Sequence, residues 1–148
     1  METTRRDVVV GLLALASGLQ LEAAGEDKEK FLGPTVFQWD KMQPHKTSTG
    51  EVSLLYKGPT ATVNQLEMHV STLNPGMESH PPHRHVNEEL IILREGECET
   101  LSSGEWVKVG PGSVVFNASN SLHGFRNVGT MPAVYHVINW SPNKSPTV

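Results

Sequence analysis

From residue 35 to residue 140 the chain is interrupted every several residues by groups that turn a backbone: Gly58 and Pro59, Asn74 with Pro75 and Gly76, Gly96, Ser102 with Ser103 and Gly104, Gly110 with Pro111 and Gly112, and Asn127 with Gly129. Glycine supplies positive φ, proline presets φ and asparagine bonds its own backbone, so each cluster has a physical reason to reverse the chain. Between the clusters lie short runs rich in Val, Leu, Ile, Tyr and Phe, at 52–56, 66–73, 89–93, 114–116 and 134–138. No long stretch after Lys30 repeats its apolar residues at helical spacing. Short strands with regularly spaced turns predict an all-β sandwich or barrel. Along 64–71, Leu66, Met68 and Val70 alternate with Gln65, Glu67, His69 and Ser71, so one face is apolar and the other mixed, and Met68 is expected in the core.

A chain of 148 residues accommodates one domain of ordinary size. With 37% hydrophobic and 19% charged residues it is expected to fold. A formal charge of -4 and a pI near 5.9 provide no broad basic surface, which sets nucleic acid aside as a partner. Cys98 is the single cysteine, so an internal disulfide and a cysteine-rich zinc module are both excluded. It reads as a packed thiol, and any metal must be held by nitrogen and oxygen.

The first residues have a different character. Arg5 and Arg6 precede an apolar run at 8–19 that is rich in small residues, the layout of an export signal. The run is shorter than the roughly 20 apolar residues of a bilayer span, so removal rather than stable membrane insertion is expected. The arginine pair resembles that of a bacterial twin-arginine signal, although Asp7 and Val8 depart from the usual pattern. Residues 1–24 are thus read as the signal, with cleavage after Ala16 or Ala24, residues 25–33 as a charged linker, 34–141 as the folded domain and 142–148 as a mobile tail. The protein is expected in the periplasm or outside the cell.

The chemistry concentrates at 80–96, where His80, His83 and His85 and the pair Glu88 and Glu89 run directly into Leu90, Ile91, Ile92 and Leu93. On an extended chain His83 and His85 share a side, and Glu89 keeps their parity as the apolar run begins. His123, ahead of Phe125 and Asn127, supplies a further imidazole. Three neutral imidazoles and a carboxylate suit one divalent transition metal ion, Fe, Mn, Ni, Zn or Cu. A carboxylate buried without a cation is costly, and a divalent ion removes that cost.

These residues resemble the two motifs of the cupins. The first is glycine, His-x-His, glutamate and glycine, and reads here as Gly76, His83, His85, Glu89 and Gly96, with Gly76 one residue farther upstream than usual. The second is matched by Gly112, His123 and Asn127, with Ala118 and Asn120 standing where proline and glycine are usual. Asn120 can take the left-handed conformation that glycine would supply. The resemblance covers about 35–140. It implies a single-domain jelly-roll barrel, also termed a double-stranded β-helix, with a metal held by His83, His85, Glu89 and His123.

The fold alone does not name the reaction. The resemblance to cupin dioxygenases implies a metalloenzyme that oxidises a small molecule within the barrel. An isomerase, epimerase or lyase, and an exported non-catalytic module for a sugar or other small ligand, are the alternatives. It also implies a homodimer, with 36–56 as a segment able to cross between subunits. Glu88 has the wrong parity for a ligand, His80 is expected on the surface, and His136 is read as a hydrogen-bonded core or surface residue. His45 and His69 carry no signal. Trp39, Trp106 and Trp140 are read as packing residues. No general acid or base is identified.

Overall fold

A computed structural model describes residues 31–142. The export signal at 1–24, residues 25–30 of the linker and residues 143–148 of the tail lie outside the described residues. Apart from one 3-10 turn at Trp39–Lys41, the described secondary structure is β: β1 (His45–Lys46), β2 (Gly50–Gly58), β3 (Val63–Leu73), β4 (Glu88–Glu95), β5 (Cys98–Ser102), β6 (Glu105–Val109), β7 (Val114–Asn117), β8 (Gly124–Asn127) and β9 (Ala133–Pro142). Each of the five runs predicted from the sequence falls inside a strand. Among the described residues no helix is long and apolar enough to cross a membrane.

The strands form two sheets, a six-stranded one in the order β1-β2-β3-β9-β4-β7 and a three-stranded one in the order β6-β5-β8. All pairings are antiparallel. The last strand, β9, lies between β3 and β4, so the large sheet is closed by a strand distant in sequence from both neighbours. This arrangement is a jelly-roll barrel. Its core lies between the sheets: Leu73, Ile91, Leu93, Val115, Ala133, Tyr135 and Val137 come from the large sheet and Cys98 and Phe125 from the small one. Phe125 and Tyr135 meet across the barrel with ring centroids 4.7 Å apart. Cys98 is buried, and burial pushes its thiol up to about 11, the behaviour of a packed and unreactive thiol.

One expectation is corrected. Met68 is not in the core, because the apolar face of β3 is the outer one. Glu67 and His69 line the barrel cavity, whereas Val70 and Thr72 line a groove beneath Trp39 and Met42. Alternation distinguishes two faces of a strand without saying which is interior. The outer face is apolar because other groups cover part of it: Trp39 lies 3.7 Å from the guanidinium of Arg94 and 6.1 Å from the His136 ring. Trp39 and His136 therefore pack on the outside of the barrel. Trp106 packs under Arg126, at 4.0 Å, and Arg126 in turn donates to Glu99 at 2.6 and 3.0 Å.

Two asparagines fix the chain where it positions the site. Asn120 has φ +59°, the left-handed conformation that its side chain tolerates. Asn127 is buried; it donates to the carbonyls of Leu73 and Met131 at 2.9 and 2.8 Å and accepts from the Gly129 amide at 2.9 Å, tying β3, β8 and the approach to β9 together. Gly96 has φ +95°, and a β-carbon there would lie 2.7 Å from the Ala133 backbone. Substitution Gly96→Ala combines a strained φ with a backbone clash and is expected to cost about 2–3 kcal/mol, read as a lower midpoint in urea unfolding with an unchanged slope.

Candidate metal centre

The site is assembled where the loop before β4 meets the loop before β8. His83 and His123 exchange backbone hydrogen bonds, each amide donating to the other carbonyl at 3.0 Å, in a two-residue antiparallel bridge. The neighbouring loop is fastened by the Asn120 amide, which donates to the His85 carbonyl at 2.8 Å, and by the Arg84 guanidinium, which donates to the Asn120 carbonyl at 2.7 Å. Arg84 projects away from the cluster, as its parity predicts. The bridge brings the rings of His83 and His85 to 4.6 Å from that of His123, centroid to centroid.

Each imidazole is held in the same manner. The Nδ1 atoms of His83, His85 and His123 lie 3.0, 2.9 and 2.9 Å from the carbonyl oxygens of Pro81, Asn87 and Ser121, each two residues away in sequence. A carbonyl oxygen only accepts, so each Nδ1 carries the proton and each Nε2 keeps its lone pair. That is the tautomer a metal requires, with a carbonyl fixing the ring from behind. One ligand atom from each of the three histidines lies within 4.8 Å of those of the other two, and the three could together hold a metal ion. The Nε2 of His123 is buried and has no hydrogen-bond partner. Burial pushes His123 below the ordinary imidazole value, against the opposing pull of its bond to Ser121 and of Glu89.

Glu89 enters from β4. Asn117, paired with it across β4 and β7, donates Nδ2 to its Oε1 at 2.9 Å. Its Oε1 lies 3.9 Å from His123 Nε2 and its Oε2 lies 3.8 Å from His85 Nε2. Donors about 2.0–2.2 Å from a shared ion sit roughly 3–4 Å apart, so these separations fit an ion placed among them. Glu88 pairs in register with Trp140 on the outer face, away from the histidines.

A cavity of about 160 Å³ adjoins the cluster. Besides His83, His85, Glu89 and His123 it is lined by Glu67 and His69 of β3, Ile91, Phe125, Tyr135, Val137 and Asn139, with Ser79 and His80 toward its mouth. His80 is exposed, as expected, and also lines the cavity, 5.5 Å from His83 in an edge-on arrangement. One reading is corrected here. His69, which carried no signal in the sequence, faces the cavity because β3 presents its mixed face inward. The parity of His69 with Glu67 and Leu73 was readable; which parity is interior was not. His136 stays outside, and His45 is exposed on β1.

The comparisons with known proteins bear on the fold. A family model described as a Cupin domain matches residues 69–139. No curated protein matches the chain. Among solved structures, a Cupin_2 domain of an XRE family transcriptional regulator from Enterobacter cloacae is 26% identical, with 62% of this chain and 96% of that one covered and a TM-score of 0.54. A predicted oxalate decarboxylase from Thermotoga maritima is 19% identical over 72% of this chain and 99% of its own, with a TM-score of 0.58. KdgF from Halomonas sp. is 16% identical over 74% of this chain and 96% of its own, with a TM-score of 0.60. These last two likenesses concern the fold alone. With its two-sheet jelly roll, its histidine cluster and the matched domain at 69–139, the chain has the fold of the cupin superfamily.

Proposed function

We propose that the protein is a metal-dependent enzyme acting on a small organic molecule, with a divalent ion held by His83, His85, His123 and Glu89, and that its reaction is an oxidation of the dioxygenase type. The observation that carries the metal reading is the buried, unpartnered Nε2 of His123 facing two further imidazoles whose Nδ1 protons are committed elsewhere. A buried acceptor without a partner costs about 1–3 kcal/mol, and a cation offsets that cost. Three imidazoles and one carboxylate suit Fe, Mn, Ni, Zn or Cu and leave positions open for a ligand. When bound, such an ion polarises an oxygen of the substrate or exchanges electrons with it.

The chain's own residues supply position and enclosure. Asn117 holds Oε1 of Glu89 and so orients the carboxylate toward the imidazoles. Ile91, Phe125 and Val137 form an apolar floor that limits water around a bound molecule. The oxidative reading rests on the likeness of the donor set to that of cupin dioxygenases. Turnover retained in full with zinc, which has no redox chemistry, would replace it with an isomerase or lyase.

Assembly as a homodimer is part of the same reading. The outer face of the large sheet carries an apolar row in register, Met68, Ile138, Leu90 and Phe116, beside Ile92 and Val114. None of these six is buried, and Phe116 and Val114 are 55% and 62% exposed. A second copy placed sheet to sheet would cover them. Light scattering on the purified chain is expected to give twice the monomer mass, and Phe116→Glu is expected to reduce it to one.

Substitution His123→Ala or His83→Ala is expected to abolish stoichiometric metal uptake, measured by elemental analysis, while the β-sheet circular dichroism persists. Full metal content in both variants would remove the assignment. The metal-free chain is also expected to lose stability in acid. An unfolded His123 takes up a proton near its ordinary value of 6.5 while burial holds the folded one below it, so between those values the unfolded state binds more protons. His69 and His136, also pushed down by burial, act in the same direction, so the thermal midpoint should fall as pH drops below 6.5, and His123→Gln should make that fall shallower.

A further inference from the structure

Beside the ligand Glu89, the large sheet presents further polar groups to the cavity that have no part in holding an ion. In the large sheet Glu67, Asn139, Glu89 and Asn117 form one row across β3, β9, β4 and β7, and His69, Val137, Ile91 and Val115 form the next. His69 is thus two strands from β4, roughly 10 Å at ordinary strand spacing, on the far side of the space that adjoins the cluster. Its Nδ1 lies 3.7 Å from Oε1 of Glu67, and the other oxygen of Glu67 is held by the Lys57 ammonium at 2.7 Å. At that distance the carboxylate makes no hydrogen bond to the neutral ring but favours its protonated form electrostatically, and the second ring nitrogen is left as the group available to a ligand.

The lining also constrains what is bound. It contains two carboxylates and no lysine or arginine among the described residues. Carboxylate and phosphate ligands are ordinarily gripped by arginine or lysine, so in this space only the ion itself could hold such a group. The polar groups present, Asn139, Ser79, Tyr135 and the imidazoles, suit hydroxyl groups. The volume, about 160 Å³, is close to the roughly 150 Å³ that holds benzene in an engineered apolar cavity, so it accommodates about one six-membered ring.

We propose that the site takes a hydroxyl-bearing molecule of one-ring size, and that His69, beside the carboxylate of Glu67, accepts the hydroxyl proton as the molecule binds. This rests on the metal reading above, since the positive charge of the ion is what makes that proton acidic enough to move. In the step the ligand O–H bond breaks, the proton goes to the free ring nitrogen of His69, and the electron pair stays on the ligand oxygen. The imidazolium formed faces Glu67. The charged and titratable groups around His69 are Glu67, Glu89, His80 and Lys57, and burial outweighs them in holding its unliganded ring neutral at pH 7.

Calorimetry of catechol binding to the zinc-loaded full chain, at about pH 7.5 and in two buffers of different ionisation heat, counts the protons released. In the unmodified protein the proton stays on His69, so close to none should reach the buffer. In His69→Gln about one proton should be released per catechol and affinity should fall about tenfold, with zinc content unchanged. Glu67→Gln should release an intermediate number, and His136→Gln, on the outer face, should match the unmodified protein. Equal proton counts in the unmodified protein and His69→Gln would overturn the proposal while leaving the metal reading intact. A chain that takes up none of Fe, Mn, Ni, Zn or Cu would overturn both.

Discussion

The site depends on one pair of backbone hydrogen bonds, those exchanged between His83 and His123. Forty residues separate the two positions, and the loops that carry them belong to different parts of the barrel. A two-residue bridge fixes both main chains at once, and each side chain then needs only its own short Nδ1 contact to a carbonyl two residues away. Preorganisation is therefore local at each ring and long-range at a single point. The cluster is rigid because its orienting acceptors are backbone oxygens, which cannot rotate away as a side-chain partner could.

The two faces of the large sheet divide the labour. Inward, the row Glu67, Asn139, Glu89 and Asn117 is polar at the mouth of the barrel, and the rows below it become apolar through Val137, Ile91 and Leu93. Outward, the same strands present Met68, Ile138 and Leu90. A strand that must be polar inside at one end and apolar outside reverses the usual pattern of an antiparallel sheet, in which the apolar face is the buried one. Reserving interior positions for chemistry leaves apolar side chains on the outside, where Trp39 and Met42 cover part of them.

That reversal explains what was and was not legible in the sequence. Turn clusters located β2, β3, β4, β7 and β9 because glycine and proline act locally. The spacing of His83, His85 and Glu89 is also local, and His123 followed from a motif of set intervals. The strands β5, β6 and β8 were not separated in the sequence reading, being four or five residues long and, in Glu99, Lys108 and Arg126, interrupted by charge. His69 was missed, and His80 was read only as a surface residue, for a different reason. Their place in the cavity is set by the pairing of β3 with β9 and by the fold of the loop after β3, and neither has a sequence interval attached to it.

The position of β9 has a consequence for how such a chain acquires its structure during synthesis. Ala133–Pro142 follows every other strand in sequence, yet it sits in the middle of the large sheet with β3 on one side and β4 on the other. Until those residues have left the ribosome, β3 and β4 each expose an unpaired edge, and contacts of such long sequence separation form slowly. The nascent barrel is an open clam whose hinge is made last, and its exposed edges are the period of greatest risk for association with other unfinished chains.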